Sequence, residues 1–109
     1  MILEQIRYYV EEENRDAFLH VRRDLSTVRR NAGIPVGHLL RADPVPEDGP
    51  FLVWQCTYDD DAHMGIAEMR LIENPDYEAA RTRLGALVAR MELELYTVED
   101  DTADEYESL

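Results

Sequence analysis

Phe51-Leu52-Val53-Trp54-Gln55-Cys56-Thr57-Tyr58 is an uncharged run of aromatic, β-branched and aliphatic residues. That composition suits a pleated strand packed on its neighbours, and the flanking sequence sets its limits. Before it, Asp43 to Pro50 holds three of the five prolines, which bars a helix or central strand and predicts a hairpin loop. After it, Asp59-Asp60-Asp61 offers several N-caps for a short helix over Ala62 to Glu73. Both parities of the run are largely apolar: Phe51 and Val53 on one, Leu52, Trp54, Cys56 and Tyr58 on the other. A sheet with one wet face would alternate more cleanly. The run therefore predicts cover on both faces, by helices on one and by a second copy of the chain on the other.

Working outward, Ile34 to Ala42 alternates and predicts the strand that precedes the loop. Upstream, Asn14 is a plausible N-cap for a helix ending near Asn31, with Ala17, Phe18, Val21, Leu25, Val28 and Ala32 within an arc of about 100°. Arg29 and Arg30 suit its negative C-terminal end, and Gly33 suits the residue that stops it. Met1 to Val10 predicts a first strand, apolar on one face apart from Glu4. Asn74-Pro75 opens a second long helix to about Arg90, on which Tyr77, Ala80, Leu84, Leu87 and Val88 share a face. Met91 to Val98 predicts a fourth strand. The order βαββαβ implies an α+β, ferredoxin-like protomer with an antiparallel four-stranded sheet, and two such sheets face to face make a homodimeric α/β barrel.

The chain has 109 residues, enough for one core, and 24 acidic residues against 11 basic ones give a net charge of −13. All eleven basic residues are Arg. A phosphate backbone would be repelled, so nucleic acid is not an expected partner. No uncharged run exceeds ten residues, half of what a membrane span needs, so no membrane partner is expected either. Glu4 and Arg7 argue against a signal peptide in the first ten residues, which with the lone Cys56 predicts a cytoplasmic protein without disulfides. Residues 99–109 carry six acids and no base and predict a solvated, disordered tail beyond a folded domain of residues 1–98.

Arg7-Tyr8-Tyr9 on the first strand, Arg15-Asp16-Ala17-Phe18-Leu19 opening the first helix, Ala32-Gly33-Ile34, the run Phe51 to Tyr58 and the later Asn74-Pro75 together resemble a NIPSNAP-type domain. The likeness spans roughly residues 1 to 98. It implies membership of the dimeric α/β-barrel superfamily, whose activities include cofactor-free monooxygenases and cyclases of antibiotic biosynthesis, lactone isomerases and haem-binding enzymes. The fold alone selects none of them.

Candidate site residues divide into several groups. His20 and Asp24, four apart on the first helix, are either a general base with its orienting carboxylate or a local surface pair. His38, on a strand face with Ile34, Val36, Leu40 and Ala42, is either a pocket acid/base or a packed core residue. Trp54 and Tyr58 either line a flat ligand pocket beside it or simply pack. Arg7 and Tyr9 either bind a ligand oxyanion or, as the strand order favours, engage Glu92 and Glu94 on the fourth strand. Asp59, Asp60, Asp61 and His63 are better explained by helix capping than by a metal. Arg15, Arg22 and Arg29, with Arg23 and Arg30, are expected on a solvated helix face. No cofactor signature is present, and the resemblance implies a small cofactor-independent enzyme of cyclase, isomerase or monooxygenase type, acting on an apolar or aromatic metabolite in bacterial natural-product biosynthesis. The alternative is a non-catalytic dimeric binding or accessory protein.

The charge pattern of the tail predicts that it is dispensable to the fold. A chain ending before Glu99 should melt within about 2 °C of the full chain at moderate salt, followed by circular dichroism; a fall of several degrees would show the tail docked.

Overall fold

A computed structural model describes residues 1–99 of the chain, so the tail beyond Glu99 lies outside the described residues. Four strands, β1 (Ile2–Tyr9), β2 (His38–Leu40), β3 (Leu52–Tyr58) and β4 (Arg90–Thr97), form one antiparallel sheet in the order β2-β3-β1-β4. Helix α1 (Arg15–Asn31) joins β1 to β2; α2 (Asp61–Glu73) and α3 (Tyr77–Leu87) join β3 to β4. The element order and antiparallel pairing are the ferredoxin-like arrangement expected from the sequence, with the second helix broken in two.

The pleat decides which residues meet. Ile6 lies opposite Trp54 and Leu93, and Tyr8 opposite Leu52 and Met91, so the even-numbered residues of β1 and β3 face the helices. Phe18, fully buried on α1, packs its ring 5.1 Å from Tyr8 and 6.1 Å from Phe51. Phe51 is therefore core, held just ahead of β3 by its N–H donating to the Tyr8 carbonyl at 2.9 Å. This corrects the two-sided apolar pattern: on the face away from the helices β3 presents only Val53, Gln55 and Thr57.

Three boundaries moved for identifiable reasons. The second strand shrinks from the expected Ile34 to Ala42 to three residues. Pro35 lacks an N–H, Gly37 turns the chain at φ +79°, and the Val36 carbonyl accepts from Trp54 Nε1 at 2.9 Å instead of from a strand. Asn74-Pro75 does not begin the last helix directly: Asn74 Oδ1 accepts from the Asp76 N–H at 2.9 Å, and the helix starts at Tyr77. It ends at Leu87, three residues short of expectation, because the Ala89 N–H donates to the Tyr9 carbonyl and begins β4 pairing. The aspartate run behaves as capping chemistry, with Asp60 Oδ1 accepting from the His63 N–H at 2.8 Å.

Two glycines separate constraint from slack. A Cβ on Gly37 would sit 2.5 Å from the Gln55 carbonyl oxygen and 2.6 Å from Trp54 Nε1, whereas one on Gly65 in α2 meets nothing within 4 Å. Gly37→Ala should thus lower unfolding free energy by about 2 kcal/mol or more, and Gly65→Ala should raise it by about 0.5–1 kcal/mol. Urea titration of both variants checks the opposite signs.

Candidate active site

The helices do not lie flush on the sheet. Between the inner faces of β1, β3 and β4 and the helices is a cavity of about 360 Å³, walled by Ile6, Trp54, Leu25, Leu71, Tyr77 and Leu84 and opening past Ile72, Met91 and Leu93. Ile72, 74 % exposed, and the half-exposed Met91 and Leu93 give it an apolar mouth. The volume is that of a small-molecule site.

Its polar groups come from α1 and the sheet. Arg22 and Arg29, seven residues apart on α1, are only 3 % and 7 % exposed and line the cavity together. The Arg29 guanidinium carbon lies 4.7 Å from the Trp54 ring centroid, and that of Arg22 lies 5.1 Å away. Arg29 donates through Nε to the Pro35 carbonyl at 2.7 Å and through Nη2 to the Tyr58 hydroxyl at 2.8 Å. Tyr58 in turn donates to Glu4 Oε1 at 2.9 Å. The chain Arg29–Tyr58–Glu4 thus fixes a carboxylate at the cavity wall with its second oxygen free of that bond. Burial pushes the Tyr58 phenol well above its ordinary pKa, against the pull of Arg29, so it stays protonated and acts as a donor. Burial likewise raises the Tyr8 phenol and lowers Arg22, which nonetheless keeps its guanidinium charge.

The structure separates the sequence candidates. Trp54 and Tyr58 are in the cavity. His38 is not: it pairs with Gln55 across β2 and β3, is exposed, and points to the opposite side of the sheet from Trp54. The turn at Gly37 breaks the alternation that had placed it with Ile34, so the expected pocket joining His38, Trp54 and Tyr58 does not exist. His20 is exposed and does not pair with Asp24, which instead reaches Arg83 of α3 at 3.7 Å. Neither lines the cavity.

Arg7 and Tyr9 lie on the outer face and form the ion-pair network expected across to β4. Arg7 binds Glu94 through Nη2 and lies 3.5 Å through Nε from Glu92, while the Tyr9 hydroxyl donates to Glu92 at 2.6 Å. That hydroxyl, with Arg90 and Arg7 behind it, holds the Glu92 carboxyl below its usual pKa. Among the described residues no three His, Cys, Asp or Glu side chains converge on a point that could hold a metal, and no helix is long and apolar enough to cross a membrane.

Arg22, Arg29 and Glu4 escaped the sequence candidates. The expectation of a solvated Arg stripe is corrected for Arg22 and Arg29: at 100° per residue they fall about 40° and 20° past Phe18, continuing its apolar arc. Glu4 had its signal in plain view as the one acid on the apolar face of the first strand.

No protein-family model and no curated protein matches this chain. Solved structures do match. A NIPSNAP family protein from Agrobacterium tumefaciens superposes with a TM-score of 0.71 at 17% identity, covering 91% of this chain and 93% of that one. An uncharacterized NIPSNAP domain protein from Burkholderia xenovorans gives 0.68 at 18%, covering 89% and 93%. SnoaB, a cofactor-independent oxygenase from Streptomyces nogalater, gives 0.68 at 19%, covering 92% and 94%. At such identities the likeness is one of fold. The chain thus carries the ferredoxin-like α+β fold that NIPSNAP-type proteins share with a cofactor-independent oxygenase.

Proposed function

We propose that the cavity is the active site of a small enzyme that removes a proton from an apolar or aromatic metabolite and directs the resulting enolate without a bound cofactor. The observation that carries this reading is the Arg29–Tyr58–Glu4 chain set into an apolar wall beside Trp54. Glu4 is the proton acceptor, oriented by the Tyr58 hydroxyl. Arg22 and Arg29 supply positive charge in a poorly solvated place, where it stabilises a developing enolate oxygen far more than in water. Trp54 presents the flat surface for an aromatic body. Oxygenation is the outcome favoured here over cyclisation or isomerisation, since SnoaB has this fold and is a cofactor-independent oxygenase.

A fitting assay uses an anthrone, whose central CH₂ is acidic because its enolate is aromatic. In air the anion takes up one O₂; one oxygen becomes the new carbonyl of the anthraquinone and the other leaves as water with the two hydrogens. The protein should accelerate quinone formation above the buffer rate. Glu4→Gln should cut kcat by about 10²-fold or more, with His38→Ala and His20→Ala retaining it, followed by quinone absorbance and oxygen uptake. An unchanged rate in Glu4→Gln would sink the assignment, and binding without turnover would return the chain to a ligand carrier.

The working unit in this proposal is a homodimer, formed through the sheet face away from the helices. In one protomer that face is bare. It carries Leu3 and Val53 with Leu40, 48 % exposed, and Tyr96, 43 % exposed. Several of its polar groups pair within the chain, Gln55 donating to Gln5 at 2.8 Å and Arg7 bridging Glu92 and Glu94, which lowers the cost of covering them. Light scattering should give twice the chain mass at micromolar concentration, consistent with burial of about 2,000 Å². Val53→Arg should shift it to the monomer; a wild-type folded monomer would refute the interface.

A further inference from the structure

Counting charge inside the cavity leaves a remainder. Arg29 is engaged by Tyr58 and, through it, by Glu4. Arg22 has no carboxylate within 4 Å among the described residues. Its hydrogen-bonding partners are neutral, the Tyr8 hydroxyl and, from Nη1 at a long 3.3 Å, Ser26 Oγ, and its Nε–H is buried without a partner among the described residues. The Tyr8 phenol beside it is kept neutral by burial and cannot serve as counter-ion. At the mouth, exposed Glu68 and Arg81 oppose each other in sign. The enclosed part of the cavity therefore holds two cations and one anion.

A buried guanidinium with an open N–H is expensive, and a well-packed apolar residue in its place is often better tolerated. Its place over Trp54, with no carboxylate among the described residues against it, marks a position where something else supplies the negative charge. Resting on the cavity being a ligand site, we infer that its ligands are aromatic acids: flat apolar bodies bearing a carboxylate, which Arg22 receives through its Nε–H and a terminal N–H while the ring lies against Trp54. Arg22 is thus the specificity-determining residue, separating anionic from neutral aromatic compounds of the same shape. An Arg fork matches a carboxylate in two parallel hydrogen bonds, which a neutral amide cannot accept.

The test compares 2-naphthoate with 2-naphthamide, nearly identical in size and differing in charge, by isothermal titration at 0.5 M NaCl to screen exposed arginines. The wild type should bind the acid at least about 10-fold more tightly than the amide. In Arg22→Met that ratio should fall to about 2-fold or less, with amide affinity held within about 3-fold, and Arg22→Gln should give the same collapse of the ratio. The unliganded Arg22→Met protein should melt no lower than wild type, since a charge without a partner has been removed. Equal binding of acid and amide by wild type, or a preference that survives both substitutions, overturns the assignment of Arg22 but leaves the cavity as a ligand site. Failure of both compounds to bind overturns the two together.

Discussion

Burying two guanidinium groups under one helix is the condition around which this small domain is arranged. Arg22 and Arg29 project from the same side of α1 as Phe18 and Leu25, so α1 cannot seat its apolar face on the sheet without taking them along. The sheet answers with matched groups: the indole of Trp54 beneath both charges, the Tyr58 hydroxyl for one, and Glu4 behind that hydroxyl. Each answering residue has the parity that faces the helices. The fold thereby trades part of a dry core for a polar patch that only a well-registered sheet can satisfy.

The same registration holds the periphery in place. Trp54 reaches through its N–H to the Val36 carbonyl, and Arg29 reaches Pro35, so the stretch between α1 and β2 is tied to the cavity wall by side chains instead of by strand pairing. Gly37 lets the backbone pass close over the indole. The edge strand is short as a result, which limits the unpaired backbone it shows to other chains.

How much of this was legible depended on which rule carried the information. The strands β1, β3 and β4 and the helix α1 announce themselves by period, and the cross-strand network of Arg7, Tyr9, Glu92 and Glu94 follows from strand order alone. Strand parity alone misplaces His38, because the positive φ at Gly37 resets the alternation. Arg22 and Arg29 failed differently. Their angular positions adjoin the apolar arc, but the general preference of arginine for water outweighed the geometry. A charged residue at the edge of an apolar stripe is where such preferences are least informative, because a functional cavity needs an exception there. Glu4 is the same case on a strand.

Trp54 is the only tryptophan in the chain, and it stands in the cavity wall with cationic groups within about 5 Å of its ring. Its fluorescence therefore originates from one place. An indole excited state shifts charge across the ring and responds in colour to nearby fixed charge and in intensity to nearby acceptors. Emission from the unmodified protein thus reports occupancy and electrostatics of this cavity without contribution from any other tryptophan, so the molecule comes with its own optical probe already at the position where one would otherwise be engineered.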